Sequence, residues 1–288
     1  MPGKIDWRGA ALLGVGLTLP LLAISRANAW GWGSTRTIGL LLAGLAVLAL
    51  WVVVERRTEQ PLAHIPTLID PPVLLTNIVT LFVGFGMFGS FLLLPQLAEA
   101  PESTGYGFSA SATQAGLLML PGALVMLVAG PMSGALGSRF GSKLPLAIGS
   151  ALTSLGLILM AVDHGSQGPI VVWNVVISTG IGLAFAAMAN LIVEAVPPQQ
   201  TGEATGVNTL IRSVGSSLGS QITAAILAGS IVAGTGLPTD AGFTAAYLVC
   251  AGVAALAALI AIVIPRGAHH VIRVRSSAAA PPATPIAR

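Results

Sequence analysis

Eight long apolar runs, separated by short breaks rich in glycine, proline and polar residues, make up most of this 288-residue chain. The runs lie at 8–25, 37–54, 74–97, 112–136, 144–162, 170–193, 204–232 and 243–264. A helix needs about 20 apolar residues to cross the hydrocarbon core of a bilayer. Lipid offers no hydrogen-bond partners to an open backbone, and the alternating pattern of a membrane β-barrel is absent. The runs therefore predict an all-α, polytopic membrane protein with about eight transmembrane helices.

Charge and cysteine usage exclude several other classes of protein. Only 8% of the residues are charged, whereas soluble domains carry about 25%, so a soluble binding module is excluded. The single cysteine, Cys250, lies in an apolar run, and neither a disulfide framework nor a thiolate metal site is expected. No H-E-x-x-H, G-x-S-x-G or clustered Asp/His set occurs, so we expect no enzyme, no catalytic residue and no metal site.

The lysines and arginines predict the orientation, because cytoplasmic loops retain positive charge during insertion. With the N-terminus inside, two cations fall on outer loops, Arg26 and Arg36, and Arg212 lies within a run. The other ten fall on inner segments: Lys4, Arg8, Arg56, Arg57, Arg139, Lys143, Arg266, Arg273, Arg275 and Arg288. Both termini are therefore expected in the cytoplasm and the protein in the cell (inner or plasma) membrane. Residues 266–288, rich in proline, alanine and serine, predict a disordered basic tail.

Two cations flank a glycine in the break between the fourth and fifth runs, GPMSGALGSRFGSK at 130–143. The residues that fit the spacing G-x-x-x-D-R-x-G-R-K are Gly134, Ser138, Arg139, Gly141 and Lys143. This pattern resembles the cytoplasmic-loop signature of the major facilitator superfamily. Ser138 departs from it where the family has Asp, and Ser142 where the family has Arg. Such decay resembles the C-terminal copy of the signature.

Four longer segments resemble the second part of the fourteen-span drug:proton antiporters of that superfamily. They are DWRGAALLGVGLTLPLLAISRANAWGW (6–32), ERRTEQPL (55–62), SASATQAGLLMLPGAL (109–124) and GVNTLIRSVGSSLGSQI (206–222). The resemblance implies two joining helices in residues 1–66 and the C-terminal six-helix half of a major facilitator fold in 67–265. The N-terminal half, with the family's intramembrane carboxylates, would then lie outside this chain.

The middle run of each three-helix repeat in that half is the glycine-rich one. The glycines are Gly116, Gly122, Gly130 and Gly134 in the fourth run, and Gly206, Gly215 and Gly219 in the seventh. Small residues at four-residue spacing let helix backbones approach closely. They serve either ordinary helix packing or the crossing point of two inverted repeats that rock around a midplane site.

Candidate substrate contacts lie in the third and sixth runs, which by the resemblance line the cavity. Phenylalanines repeat every three residues in the third run, at Phe82, Phe85, Phe88 and Phe91, with Gln96 near its outer end. Aromatic surfaces accept varied apolar molecules, but this stripe faces either the cavity or lipid. Asn174 and Asn190 add neutral polarity to the sixth run, and they either contact substrate or hydrogen-bond between helices.

Arg212 lies about two turns into the seventh run, where a cation costs roughly 2.5 to 3.5 kcal/mol at the membrane centre. Steps of four, three and four residues place Asn208, Arg212, Gly215 and Gly219 on one helix face. Either this face lines the cavity and Arg212 pairs with Glu203 or Glu194 in one conformation, or Arg212 anchors the helix by snorkelling. The predicted gating residues are this face and the loop residues Gly134, Arg139, Gly141 and Lys143.

The acidic residues and histidines all lie outside the middles of the runs. Proton coupling needs a group that changes charge inside the membrane, so no proton carrier is visible in this chain. Under the resemblance, the carrier belongs to the N-terminal half.

The function implied by the resemblance is proton-coupled efflux of drugs or other small lipophilic molecules, with this chain as the C-terminal part of the antiporter. The expected partners are the lipid bilayer and a small-molecule substrate, without nucleic acid. No cofactor is expected, and the proton gradient supplies the energy. Two alternatives stay open: a half-transporter acting with a separate N-terminal half or a second copy, and a truncated, non-transporting membrane protein. Uptake permeases share the fold, so export rests on the resemblance.

Overall fold

The structure is a computed structural model that describes residues 6–58, 65–232 and 234–265, without the side chain of Asn28. Within these ranges the chain forms nine α-helices and no β-strand. They are α1 (Trp7–Trp30), α2 (Thr35–Glu55), α3 (Ile65–Leu68), α4 (Pro71–Glu99), α5 (Ala112–Phe140), α6 (Lys143–Val162), α7 (Gln167–Ala195), α8 (Thr201–Gly229) and α9 (Asp240–Val263). The all-α class is confirmed, and the eight long helices coincide with the eight predicted runs. The predicted tail, 266–288, lies outside the described residues.

Seven of the long helices in the described ranges are apolar enough to cross a membrane, and the eighth, α8, is not. The sequence predicts about eight apolar spans, and seven of the eight long helices are apolar enough to be spans. The sequence of α8 explains the difference, because one of its faces is hydrophilic. That face carries the exposed residues Gly202, Thr209 and Ser213 and the half-buried Ser217 and Ser220. We call the four hydroxyl-bearing residues of this face, Thr209, Ser213, Ser217 and Ser220, the hydroxyl strip of α8.

Side-chain capping accounts for where several helices begin and end. Asp6 accepts hydrogen bonds from the backbone of residues 8 and 9 at the start of α1. Ser111 and Gln114 form a reciprocal capping box at the start of α5, which satisfies two backbone N–H groups that have no partner inside the helix. Gly141 ends α5 with a φ of 86°, a conformation that favours glycine.

The six helices α4 to α9 form two triplets that exchange packing partners. The first helix of one triplet, α4, packs along α8 and α9, and the first helix of the other, α7, packs along α5 and α6. The third helices, α6 and α9, pack along each other. Replacing α4, α5 and α6 by α7, α8 and α9 therefore reproduces the same pairings. Inverted repeats related by a two-fold axis have this property.

The buried apolar residues form two main clusters at different levels of the bundle. One contains Leu93, Leu97, Met160, Ile170, Phe243 and Tyr247. The other contains Val79, Val83, Leu146, Met188, Ala257 and Ala261. We name the two ends of the bundle after nearby residues: the Gly141 end carries the α5–α6 and α7–α8 connections, and the His164 end carries the α4–α5, α6–α7 and α8–α9 connections. Helices α1 and α2 pack on each other, and α1 also contacts α8.

Candidate transport site on α4, α7 and α8

Three glycines bring the backbones of α4 and α8 into direct contact. A Cβ atom added to Gly215 would overlap the carbonyl group of Leu81, and one added to Gly219 would overlap that of Phe85. In the opposite direction, a Cβ on Gly84 would lie 2.6 Å from the carbonyl oxygen of Arg212. No other residue type fits at these positions without moving one helix, so the close packing of α4 and α8 depends on glycine.

The predicted glycines divide into two groups. Gly122 of α5 repeats the close approach in the other triplet, since a Cβ there would lie 2.5 Å from side-chain atoms of Asn174 and Ser178 on α7. A Cβ would meet nothing within 4 Å at the remaining four positions, which are Gly116, Gly130, Gly134 and Gly206. Only Gly122, Gly215 and Gly219 among the predicted glycines therefore permit helix contact.

A buried polar network joins α4 to α8 next to the glycine contact. The side-chain amide of Asn208 donates to Asn77 Oδ1 and to Thr80 Oγ1, each at 2.8 Å. Thr80 in turn donates to the backbone carbonyl of Thr76 at 2.9 Å. All four residues are buried. Because a buried polar group without a partner costs free energy, this network fixes the register of the two helices.

Arg212 follows Asn208 on the same face and extends towards α7. Its Cζ atom lies 4.4 Å from the centre of the Phe185 ring, a cation–π contact. Nine residues separate it from Glu203, so at about 100° per residue the two side chains point to opposite sides of α8. The other acidic residue considered, Glu194, accepts a hydrogen bond from Ser142 instead. Among the described residues, the guanidinium of Arg212 therefore contacts the ring of Phe185 and neither of these two acids.

The hydroxyl strip of α8 lies on the exposed side of the same helix. Its hydroxyl groups donate to the backbone of their own helix: Thr209 to the carbonyl of Thr205, Ser213 to that of Thr209, and Ser220 to that of Ser217. Each oxygen keeps free lone pairs, since a hydroxyl accepts as well as donates. A polar, exposed strip on a bundle helix suits a water-filled passage or a protein contact better than lipid.

The phenylalanine stripe of α4 is divided between the core and the surface. Phe85 is 8% exposed and belongs to the apolar core, whereas Phe88 is 43% exposed. Phe82 is half-buried, and Gln96 is exposed. The rings of Phe88 and Phe91 contact each other with centres 6.1 Å apart. A three-residue repeat drifts around a helix, so the four rings do not form one lining surface.

The two predicted amides of α7 also have different environments. Asn174 is 4% exposed, and its Nδ2 atom lies 3.4 Å from the backbone oxygen of Met119 on α5. This amide therefore contacts a neighbouring helix. Asn190 is exposed near the Gly141 end, 16 residues or about 24 Å along the axis from Asn174. The structure does not bring the predicted substrate residues together into one pocket.

The loop between α5 and α6 is fastened to α7. Ser142, which is buried, donates to Glu194 Oε1 at 2.6 Å. Arg139 is exposed and Lys143 is half-buried on either side of Gly141. Ser142 stands where the family signature has Arg, and its hydroxyl group contacts Glu194 near the end of α7.

His164 makes two side-chain contacts that the sequence pattern did not indicate. Its Nδ1 atom lies 2.8 Å from the carbonyl oxygen of Met160, and its Nε2 atom lies 2.7 Å from Asp240 Oδ1. Each ring nitrogen therefore lies within hydrogen-bond distance of an oxygen acceptor. The contact joins the end of α6 to the start of α9, 76 residues along the chain. Nothing in the local sequence signals a partner at that separation.

Tyr106 provides a second connection at the His164 end. Its phenol donates to the carbonyl of Pro238 in the α8–α9 connection, and its ring packs on Phe243 with centres 5.2 Å apart. Burial raises the pKa of Tyr106 above its ordinary value of 10.0, so the phenol keeps the proton that it donates. The α4–α5 and α8–α9 connections are thereby held together.

A bundle of exchanged three-helix repeats with a polar helix at its contact face is the architecture of a polytopic membrane transporter. The family model described as Major Facilitator Superfamily matches residues 7–220. The chain belongs to this superfamily.

The chain is similar to several resistance and export proteins. It is 26% identical over 226 residues to the multidrug resistance protein Stp of Mycobacterium tuberculosis, covering 78% of this chain and 41% of that protein. It is 26% identical over 233 residues to the tetracenomycin C resistance and export protein of Streptomyces glaucescens, covering 80% and 42%. It is 32% identical over 221 residues to the cephamycin export protein CmcT of Amycolatopsis lactamdurans, covering 75% and 44%. The chain spans less than half the length of these three relatives.

The crystal structure of the nucleoside transporter NupG shares the fold. The TM-score is 0.53 at 16% sequence identity, and the match covers 85% of this chain and 64% of that one.

Proposed function

We propose that this chain forms the C-terminal part of a proton-coupled transporter that exports drugs or other small lipophilic molecules. The observation that carries the proposal is the exchanged packing of the two triplets, in which α4 and α8 meet through glycine. Its relatives are named for multidrug resistance, tetracenomycin C export and cephamycin export. These names favour export over uptake, which the fold alone does not distinguish.

The contact between α4 and α8 suits a bundle that changes shape. Backbone-to-backbone packing at Gly215 and Gly219 has few interlocking side chains, so the helices tilt about this contact with little steric cost. The Asn208 network then acts as a fixed point, because its hydrogen bonds have few alternatives in lipid. The hydroxyl strip and Arg212 face the passage that such movement opens.

The protein crosses the cell membrane, and the Gly141 end lies in the cytoplasm with both termini. Residues 1–66 supply the joining helices of a fourteen-span arrangement, and 67–265 form the six-helix bundle. An N-terminal half-transporter, or a second copy of the chain, completes the passage, and an N-terminal half supplies the proton carrier. No catalytic step is assigned to the chain.

A deletion strain complemented with variants tests the proposal. We expect deletion of the gene to slow ethidium efflux from preloaded cells, and the wild-type chain to restore an efflux that a protonophore abolishes. Gly219→Leu, which separates α4 from α8, should not restore it, whereas Gly206→Leu, in open space, should. Unchanged accumulation of ethidium and of a panel of lipophilic antibiotics in the deletion strain would contradict the proposal and favour a non-transporting protein. Efflux that requires a co-expressed six-helix partner would identify a half-transporter.

A further inference from the structure

Arg212 is a half-buried charged side chain between helices of the bundle, and its described contact is a ring and not an acid. It lies 11 residues after the start of α8 and 17 before its end, about 17 Å into a helix of about 43 Å. Within the described part of the chain, no carboxylate forms an ion pair with it, and no side-chain hydrogen bond to its guanidinium is present. A charge at this depth is costly unless it has a function or a partner.

The position of Arg212 between three helices determines how its charge is presented. On one side, a Cβ on Gly84 of α4 would lie 3.2 Å from the Cγ atom of Arg212, so α4 packs against the aliphatic stem. On the other side, the ring of Phe185 on α7 lies against the guanidinium, with its centre 4.4 Å from Cζ. This ring contact occupies no hydrogen-bond acceptor, so N–H groups at the edge of the guanidinium stay available. Those N–H groups form a planar fork that matches a carboxylate.

The acidic residues of the bundle helices lie at the helix ends and not at this level. Glu99 ends α4, Glu194 lies one residue before the end of α7, Glu203 is in the first turn of α8, and Asp240 begins α9. The interior of the described bundle therefore has a positive charge at Arg212 without an internal counter-charge near it. Such a site attracts an anion and repels a cation.

We propose that Arg212 and Phe185 form a binding site for the carboxylate of an amphipathic aromatic substrate. The edge of the guanidinium would hold the carboxylate, and the apolar body of the substrate would lie along the half-buried aliphatic and aromatic side chains of α7. The hydroxyl strip on α8 keeps the passage wet enough for an anion to enter. This assignment rests on the proposed transport function and adds a substrate class to it: amphipathic organic carboxylates, beside the cationic dye used to measure efflux.

A direct binding measurement with a matched pair of probes tests the proposal. The probes are radiolabelled 2-naphthoate and the neutral 2-naphthylmethanol, which share the ring system and differ in charge. The wild-type chain is placed in nanodiscs, and binding is measured by scintillation proximity with empty nanodiscs subtracted. We expect naphthoate to bind about tenfold more tightly than the alcohol, the size of effect expected of a charge-assisted hydrogen bond.

Three variants identify the residue responsible. Arg212→Gln should bind the two probes about equally, by losing affinity for naphthoate alone. Arg212→Lys keeps the charge without the planar fork, so it should retain a preference of about threefold, and it serves as the test if the glutamine variant does not assemble. Arg36→Gln, at the exposed start of α2, should behave as wild type.

Two results would overturn the proposal: equal binding of the two probes by the wild-type chain, or an unchanged preference in Arg212→Gln. The assay needs no transport, so it separates this proposal from the proposed function. A tenfold preference that depends on Arg212, in a chain whose deletion leaves efflux unchanged, would keep the site and reject the transport function. Active efflux with equal probe binding would do the reverse.

Discussion

The side-chain amide of Asn208 on α8 lies 2.8 Å from the side-chain oxygen of Asn77 on α4, although 131 residues separate them in the chain. Both residues are buried. The hydrogen bond therefore connects the middle helix of one triplet with the first helix of the other, next to the glycine contact on which the proposed movement depends.

Replacing Asn208 by Leu should lower the free energy of unfolding by about 1 to 2 kcal/mol. The substitution leaves Asn77 Oδ1 without its donor in a buried site, and hydrogen bonds between membrane helices contribute up to about 1.7 kcal/mol. Unfolding of the protein in mixed micelles titrated with SDS measures the change. Thr209→Val is the matched control, because the Thr209 hydroxyl is exposed and bonds only within α8. A leucine variant as stable as the control would show that the network does not hold α4 to α8.

Adding one methyl group at Gly219 should have the opposite effect to adding it at Gly206. A Cβ at Gly219 meets the backbone of Phe85, which cannot move without displacing α4, so Gly219→Ala should cost about 1 to 3 kcal/mol. At Gly206 nothing lies within 4 Å, and Gly206→Ala should be neutral or stabilise by up to about 1 kcal/mol through helix propensity. The same SDS titration compares the two. Equal effects would show that the backbone of Phe85 does not restrict the size of the residue at position 219.

Alanine substitutions at Phe85 and Phe88 should have different effects: the first should lower the free energy of unfolding, and the second should mainly weaken substrate binding. Phe85→Ala removes a core ring and should cost about 3 to 5 kcal/mol. Phe88→Ala removes a largely exposed ring that pairs with Phe91 and should cost no more than about 1 kcal/mol. If Phe88 lines the passage, its alanine variant should weaken the apparent affinity of dye efflux several-fold at normal abundance in the membrane. Unchanged efflux would place Phe88 against lipid.

The helices could be predicted from the sequence because each depends mainly on its own residues. Apolar runs of spanning length, ended by glycine or capped by serine and aspartate, determine a membrane helix locally. The predicted run at 112–136 and the helix Ala112–Phe140 begin at the same residue. The short α3 has no such run and was missed. The polarity of α8 was visible as an arginine among serines and glycines, but its meaning depends on which face is exposed.

The site was less predictable because it depends on neighbouring helices. Gly134 and Gly219 look alike in sequence, yet only Gly219 touches another backbone. Asn174 and Asn190 are the same residue type on one helix, yet one is buried and the other exposed. Periodicity assigns residues to faces of a helix, but it does not say which face meets which partner.

Loss of the hydrogen bond between Ser142 and Glu194 should loosen the α5–α6 loop. Ser142→Ala removes the only donor described for Glu194 within the structured ranges. Because Glu194 is exposed, the contribution is screened to about 1 kcal/mol or less. Local opening should become up to about fivefold more frequent. Trypsin cleavage after Arg139 or Lys143 in inside-out vesicles measures it, with Ser138→Ala as the control. Cleavage from the opposite face of the membrane would contradict the proposed orientation.

The contact between His164 and Asp240 should appear as a coupling energy between the ends of α6 and α9. His164 is 6% exposed, whereas the side chain of Asp240 is 62% exposed, so solvent screens the interaction between them. We expect a coupling of about 0.5 to 1 kcal/mol in a cycle of His164→Gln, Asp240→Asn and the double variant.

The double-variant cycle is needed because Asp240 also stabilises α9 in a way that does not involve His164. It is the first residue of α9, where a negative charge interacts favourably with the helix dipole by about 0.3 to 1 kcal/mol. That contribution is lost in both Asp240 variants and cancels in the coupling term. Asp163→Asn, an exposed acid beside His164, should leave stability within about 0.5 kcal/mol. If the double variant loses the full sum of the two single losses, His164 and Asp240 contribute independently. The α6–α9 connection then rests on the packing of Tyr247 and its neighbours and on the buried hydrogen bond from Ser154 to the carbonyl of Ala251.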